Sequence, residues 1–349
     1  MGIDISSTAI KLVELGGGRS GYELKSLAVV PLPRDAIVEG TIIDSMAVSQ
    51  ALLDAIEIAN PSTRNVALAV SGNAVIIKTV TMPSATEFDL EGRIEFEADQ
   101  HIPYDISDVY LDFQIVGKAR DSDADMDVVL AACKREMVED YQLVLSEAGL
   151  SVKCVDCAVF ALENAVEMVL EKEKEGAAAA LEGEEGAKAV ALVNIGANLI
   201  NINVLLDGQM AFVRDQFFGG QNLTEEIQKQ HNVGYQAAEQ MKQENFSGIH
   251  PDVIERFYSG LTSELIRSLD FYSANHADNP VQKIVLTGGT ALIPGIAIEI
   301  EERIGIPAVV VNPFSAIKCS GKKFDLDYLN RIGSMMAIPV GLALRSFDK

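Results

Sequence analysis

Apolar and polar positions alternate at the start of the chain, and turn-forming residues interrupt the alternation at short intervals. Ile3 and Ile5 mark a short strand, Ile10 to Leu15 a second and Tyr22 to Leu32 a third, with Ser6-Ser7-Thr8 and Gly16 to Gly18 as the turns. Residues 46–59 carry helical spacing that Asn60-Pro61 ends. Val66 to Val70 and Val75 to Val80 read as buried strands. From Pro83 the pattern changes to an acidic helix over 86–101 and strands near 107–117 and 126–133, split by an acidic turn at Asp121 to Asp125. A helix over 135–148 and a strand over 151–156 follow, so a small α+β insertion is expected within 80–151. A helix over 158–174 then runs into Glu171-Lys172-Glu173-Lys174-Glu175. Residues 176–188, almost entirely Ala, Glu and Gly, read as an exposed, mobile connection.

The second half restarts the opening pattern. Ala189 to Ile195 is strand, Gly196-Ala197-Asn198 a turn, Leu199 to Leu206 strand, Asp207-Gly208 a hairpin turn, and Gln209 to Phe217 strand. Helical spacing covers 220–231, 234–244 and 251–276, which together form a helical subdomain over about 219–276. Lys283 to Thr287 is a strand leading into Gly288-Gly289, then come a helix over 295–304, a strand near 307–311 and a closing helix over 332–346. The unit strand–turn–strand–turn–strand thus occurs at 1–32 and again at 189–217. Two duplicated α/β halves, 1–79 with 152–188 and 325–349, and 189–324, would face each other across a ligand cleft.

Charge narrows the function classes. The balance of 28 basic and 51 acidic residues gives a net charge of −23, a field that repels nucleic acid and anionic lipid. No apolar run reaches the roughly 20 residues of a membrane-spanning helix, and neither a leader-like start nor a terminal amphipathic helix is evident. A cytoplasmic protein that reaches membranes only through a partner is expected. Cys154 and Cys157 form one Cys-x-x-Cys without a second pair, so core thiols outweigh a zinc or redox site.

The two repeated units carry the candidate chemistry. Ser6-Ser7-Thr8 offers amides and hydroxyls, and Gly196-Ala197-Asn198 offers backbone amides that a polyphosphate can approach. Asp4 stands where a carboxylate can hold the waters of Mg²⁺, and Lys11 where a point charge can reach phosphate.

The string Gly2-Ile3-Asp4-Ile5-Ser6-Ser7-Thr8, followed by Lys11-Leu12-Val13-Glu14, resembles the first phosphate motif of the PilM family within the actin-like ATPase superfamily. Ala191-Leu192-Val193-Asn194-Ile195-Gly196-Ala197 is similar to the superfamily's second phosphate motif, and Ile284-Val285-Leu286-Thr287-Gly288-Gly289-Thr290-Ala291-Leu292-Ile293-Pro294-Gly295 to its adenosine motif. Gly219-Gly220-Gln221-Asn222-Leu223-Thr224, Glu239 to Lys242, Val155-Asp156 and Ile338 to Ala343 resemble further family segments, in family order along nearly the whole chain. The resemblance implies an actin-like fold, duplicated ribonuclease-H-like halves around a nucleotide cleft with an FtsA-type inserted α+β subdomain. It implies ATP or ADP with Mg²⁺: Asp4 and Asp156 on the hydrated metal, and Ser6, Ser7, Thr8 and Lys11 on phosphate. Gly196, Ala197 and Asn198 would take the outer phosphates, with Gly219 and Gly220 beside them. Glu239 and Lys242 would take ribose and base, and Gly288, Gly289 and Thr290 the adenosine. Asp156 is the candidate catalytic residue. The implied partners are the N-terminal cytoplasmic peptide of PilN, in a groove beside the insertion, and the pilus motor ATPase. A monomer or weak self-association is expected.

Two residues depart from the family pattern. Ser6 replaces a glycine, and Asn194 replaces an aspartate that could act as base or draw Mg²⁺. ATP binding with slow hydrolysis is therefore expected. Competing readings are an FtsA-like filament former and a sugar kinase of the same superfamily, for which no sugar-facing aspartate motif is present.

Overall fold

The computed structural model describes residues 1–18, 21–119, 122, 124–177 and 189–347. Residues 178–188 of the expected connection, and residues 121 and 123 of the acidic turn, lie outside the described residues. In the first half the strands are β1 (Gly2–Ile5), β2 (Ala9–Gly18) and β3 (Gly21–Pro31), then a small hairpin of β4 (Ile37–Val38) and β5 (Thr41–Ile42). Helix α1 (Ser45–Ala59) leads to β6 (Asn65–Val70). The insertion holds β7 (Val75–Pro83), α2 (Glu87–Glu91), α3 (Ile94–Asp99), β8 (Val109–Lys118) and β9 (Asp125–Lys134). The chain returns through α4 (Arg135–Glu147) and β10 (Ser151–Cys157) into α5 (Ala158–Ala177). The second half runs β11 (Ala189–Ile195), β12 (Ile200–Leu206), β13 (Gln209–Gln216), α6 (Gly220–His231), α7 (Tyr235–Glu244) and α8 (Pro251–Asn275). It continues with β14 (Lys283–Thr287), α9 (Ile296–Ile304), β15 (Ala308–Val310), α10 (Leu326–Ile332) and α11 (Ala337–Leu344).

Duplication is visible in the sheets. Their strand orders, β10-β6-β1-β2-β3 and β13-β12-β11-β14-β15, correspond strand for strand. In each, short turns make the first three strands antiparallel, while longer crossovers bring in the remaining strands parallel. Between the sheets lies a shared core, in which Val13, Leu15 and Leu24 of the first half and Leu192 and Val285 of the second pack around α5 and α11. The two helices cross so closely that a Cβ added to Gly341 would lie 1.7 Å from the Ala161 carbonyl. Glycine is required there by the approach of two backbones.

The insertion proper has its own core. Its sheet, in the order β7-β9-β8, packs Val80, Val128 and Leu130 against Leu90 of α2 and Ile94 and Ala98 of α3. Helix α4 instead buries Met137, Val138, Tyr141 and Leu145 with Leu52 and Ala55 of α1 in the first-half core. Packing therefore splits the expected block 80–151 at about residue 134.

Three elements differ from the pattern reading. The helix expected over 86–101 is two helices, with the break at Gly92 and Arg93, where φ −133° and ψ −5° leave the helical region. The closing helix expected over 332–346 is α10, a 3₁₀ turn at Gly333–Met336, and α11. Pro339 lies in the first turn of α11, where its missing N–H has no intrahelical partner to lose. The β4–β5 hairpin was not anticipated, although Glu39 and Gly40 (φ 50° and 83°) supply the two positive φ values that its two-residue turn requires. Cys154 and Cys157 sit three residues apart on β10 and so point to opposite faces, which rules out a redox pair; burial pushes the Cys157 thiol up.

A polar contact within the shared core also joins the halves. Asn203 Nδ2 of β12 donates to Glu163 Oε2 of α5 at 3.2 Å, and Asn203 Oδ1 is buried without a partner. Burial pushes the Glu163 carboxyl up to about 7, with the Asn203 donor and the Arg345 charge opposing and Glu167 and Asp156 adding to the rise. The folded chain thus binds a proton at Glu163 that the unfolded chain releases near 4.5. Its contribution is fully present below that value and is lost as pH rises through about 7.

Glu163→Gln is expected to raise the melting temperature at pH 8 and to flatten the pH dependence between 5 and 8, since the new amide can donate to Asn203 Oδ1; thermal melts across that range check it. Gly341→Ala is expected to destabilise by about 1–3 kcal/mol or more, as overpacking does, which chemical denaturation measures.

Candidate functional site

Each sheet ends in a polar row at the opening between the halves. In the first, Asp4 pairs with Lys11, and Asp156 pairs with Ala69. Ile3 pairs with Leu68, so one step further Asp4 stands level with Ala69. The row reads Asp156–Ala69–Asp4–Lys11, with two carboxylates on either side of the smallest chiral side chain. At one strand spacing per step their backbones are roughly 10 Å apart. Lys11 shares the parity of Val13 and Leu15, so the row faces the same inner side as the shared core.

Both carboxylates already hold a cation. Lys11 Nζ lies 2.7 Å from Asp4 Oδ2 and donates to Ser6 Oγ at 3.3 Å, with both partners of the ion pair almost fully buried. Arg345 Nε, just past α11, donates to Asp156 Oδ2 at 2.7 Å, and the Cys157 N–H donates to Asp156 Oδ1 at 2.8 Å. Removing either cation would leave a buried charge uncompensated, at a cost of about 3–5 kcal/mol.

The turn between β1 and β2 divides its residues. The Ser6 N–H and hydroxyl both donate to the Ala9 carbonyl, at 3.1 and 2.8 Å, so Ser6 closes the turn. Its φ is not positive, which is why serine can stand there without strain. Ser7 and Thr8 face outward, and Asn198 Nδ2 of the second turn donates to Ser7 Oγ at 3.1 Å. The two phosphate-type turns, 191 residues apart, are thus in contact across the opening.

In the second half the Gly196 carbonyl is a meeting point. It accepts the Gly220 N–H at 3.1 Å and the Thr290 hydroxyl at 2.7 Å, while the Gln221 N–H donates to the Ala197 carbonyl at 2.8 Å. A Cβ on Gly219 would come within 2.5 Å of the Gly196 and Ala197 oxygens, and one on Gly288 (φ 93°) within 2.4 Å of the Ile195 oxygen. Gly288 is held further by Ser334, whose carbonyl accepts its N–H and whose hydroxyl donates to its oxygen. By contrast nothing lies within 4 Å of the Cβ direction at Gly289, which leaves an open backbone surface.

Glu239 and Lys242 do come together, though not as a solvated helix pair. Lys242 Nζ lies 2.6 Å from Glu239 Oε1 and donates to Thr224 Oγ1 at 2.7 Å and to the Gly220 carbonyl at 3.2 Å; Thr224 bonds Glu239 in turn. The cluster caps the start of α6 next to the Gly196 turn.

The second row was largely missed by the motifs. In register across the sheet stand Asp215, Asn201, Asn194 and Thr287. Asn194 Nδ2 donates to Asn201 Oδ1 at 2.9 Å, and Asn201 Nδ2 donates to Asp215 Oδ1 at 2.8 Å. Burial pushes the Asp215 carboxyl up, opposed by the Asn201 and Gly72 donors. By strand correspondence Asn194 occupies the place of Asp4, and Asn201 that of Lys11. An ion pair in one half is matched by an amide pair in the other, which explains the asparagine at 194. Strict alternation in Ile200-Asn201-Ile202-Asn203-Val204 was the available signal for buried asparagines on a core strand.

The residues present fit a nucleotide with Mg²⁺. Hydroxyl and amide donors meet at Ser7 and Asn198, a cation stands behind them, and the glycine-lined backbone at 288–289 is tightly packed on one side and open on the other. Among the described residues no three His, Cys, Asp or Glu side chains group as a direct metal site.

A family-wide sequence model described as Type IV pilus assembly protein PilM matches residues 2–347. A solved PilM-PilN type IV pilus biogenesis complex is similar at 28% identity, with a TM-score of 0.86 over 100% of this chain and 98% of that one. The ethanolamine utilization protein EutJ from Carboxydothermus hydrogenoformans shares the fold (15% identity, TM-score 0.57, 99% of this chain and 89% of that one). So does MreB 5 of Spiroplasma citri bound to AMPPNP (13% identity, TM-score 0.52, 97% and 93%). The fold is actin-like. With the family profile spanning all but the two extremes of the sequence, the chain belongs to the PilM family of type IV pilus assembly proteins.

Proposed function

We propose that the protein is an ATP-binding scaffold of the type IV pilus inner-membrane platform that holds the N-terminal cytoplasmic tail of PilN. The observation that carries the nucleotide part is the contact between Ser7 and Asn198 at 3.1 Å, which sets two phosphate-type turns face to face. Phosphates entering there would replace that bond with contacts to Ser7, Thr8, Lys11 and the 196–198 turn. Asp4 and Asp156 would hold Mg²⁺ through its waters, and Glu239 and Lys242 the ribose and base beside Gly288 to Thr290. ATP or ADP bound this way clamps one half to the other. Turnover is slow in this reading, because position 194 carries an amide and Asp156, the candidate to orient water, is tied to Arg345. The likeness to MreB 5 extends to the fold alone and adds nothing to the nucleotide assignment.

The PilM-PilN complex supports PilN as the partner. A strip of exposed apolar side chains at the seam of the first half and the insertion supports this reading as the seat of its tail. Tyr110 of β8 donates to Glu139 of α4, Leu143 lies one turn further along α4, and Glu147, another turn on, accepts from Ser49 of α1. Met46 and Leu53 flank Ser49 at helical spacing; Met46 is 81% exposed and Leu143 57%. Such a strip suits an extended peptide with apolar anchors. The tail would bring the protein to the inner membrane and there join it to the motor ATPase. No helix among the described residues is long and apolar enough to cross a membrane.

Calorimetry of Mg·ATP is expected to show binding that Asp4→Asn weakens about tenfold or more, with the fold intact by circular dichroism; unchanged affinity removes Asp4 from the site. Steady-state hydrolysis is expected below about 1 s⁻¹, the low end of ordinary enzymes, and a faster rate contradicts the scaffold reading. Titration of labelled PilN tail into the Met46→Ser/Leu143→Ser double variant is expected to give at least about tenfold weaker binding, and equal affinity would move the tail off this strip.

A further inference from the structure

The second polar row does not stop at the sheet edge. Thr287 Oγ1 donates to Asn194 Oδ1 at 3.4 Å, Asn194 to Asn201 at 2.9 Å, and Asn201 to Asp215 Oδ1 at 2.8 Å. The other oxygen, Asp215 Oδ2, accepts the Gly72 N–H at 3.1 Å. Gly72 belongs to the first half, between β6 and β7, where the chain leaves the sheet for the insertion. Its carbonyl accepts the N–H of Val75, the first residue of β7, at 3.0 Å. One end of the row therefore adjoins Gly288-Gly289, and the other holds the root of the insertion.

The row has a fixed direction. Each amide donates away from Thr287 and accepts from the side facing it, and the Asp215 carboxylate ends the row by accepting from two donors. Thr287 and Asn201 are buried, so a broken link leaves polar atoms without water, and the links hold or fail together. An aspartate at 194 would give Asn201 Oδ1 no donor and cut the row; in the equivalent place of the first half, Asp4 and Lys11 close on each other instead. Gly72 has φ 86°, a backbone region that suits glycine, so the strap fixes a conformation the chain would otherwise leave easily.

We propose that Asp215 is a positioning residue that straps the root of the insertion to the nucleotide turns of the second half, so that nucleotide occupancy regulates the partner surface beside the insertion. The coupling half of this rests on the ATP and PilN reading above; the strap itself does not. Physically, the row is a contiguous element whose intact and broken states both ends can bias.

Amide hydrogen exchange at Gly72, followed by NMR on the full chain, tests it. Without ligand, Asp215→Asn and Asn201→Leu are each expected to speed Gly72 exchange about tenfold, and Asn203→Leu, which alters the same strand outside the row, less than about threefold. Equal acceleration by all three, or none by Asp215→Asn, overturns the strap; Asn201→Leu decides the matter if Asp215→Asn fails to fold. Mg·ATP is expected to slow Gly72 exchange in the wild type and not in Asp215→Asn, with both binding nucleotide in calorimetry. Nucleotide binding with no differential response overturns the coupling alone. No nucleotide binding to the wild type overturns the ATP reading and the coupling together, and leaves the ligand-free comparison to judge the strap.

Discussion

Close backbone approach around Gly196 is the constraint on which the site depends. Three segments from distant parts of the second half converge there: the β11–β12 turn, the start of α6 and the turn after β14. Gly219 and Gly288 lie so near the turn that a methyl group on either would strike a backbone oxygen. That closeness lets one carbonyl take both the Gly220 N–H and the Thr290 hydroxyl. Once the three segments are locked, Thr224, Glu239 and Lys242 are brought together at the start of α6.

The first half achieves its rigidity differently. Its turn is closed by Ser6 on Ala9, and its row by the Asp4–Lys11 ion pair. Duplication thus gave two frames with the same strand order and two unlike fillings, one charged and one built of amides. The charged row offers carboxylates to a cation, and the amide row offers a hydrogen-bond path across the sheet. Both face the inner side because their residues share strand parity with the shared core, so both are held at low dielectric, where a satisfied polar group is specific and an unsatisfied one costly.

Between the halves the apolar seam of α5 and α11 does most of the joining. Gly341 against Ala161 sets the distance, and Glu163 with Asn203 adds a polar contact within that seam. The insertion has its own core, and among the contacts at its root are Gly72 on Asp215 and Tyr104, whose hydroxyl donates to the Asn73 carbonyl.

The sequence by itself determined the frame. Strands, turns and most helices followed from apolar spacing and from Gly, Pro and Asn signals, since those act within a few residues. The ordered motifs determined the family and which turns would face each other. Tertiary structure decided what each polar group is paired with. Arg345 on Asp156, Asn201 on Asp215, Ser334 on Gly288 and Asp215 on Gly72 join positions 14 to 189 residues apart. No local pattern encodes such pairs, because strand register and helix crossing place them. It also decided that α4 belongs to the first-half core and not to the insertion, since a helix's spacing tells which face is apolar but not which of two cores that face meets.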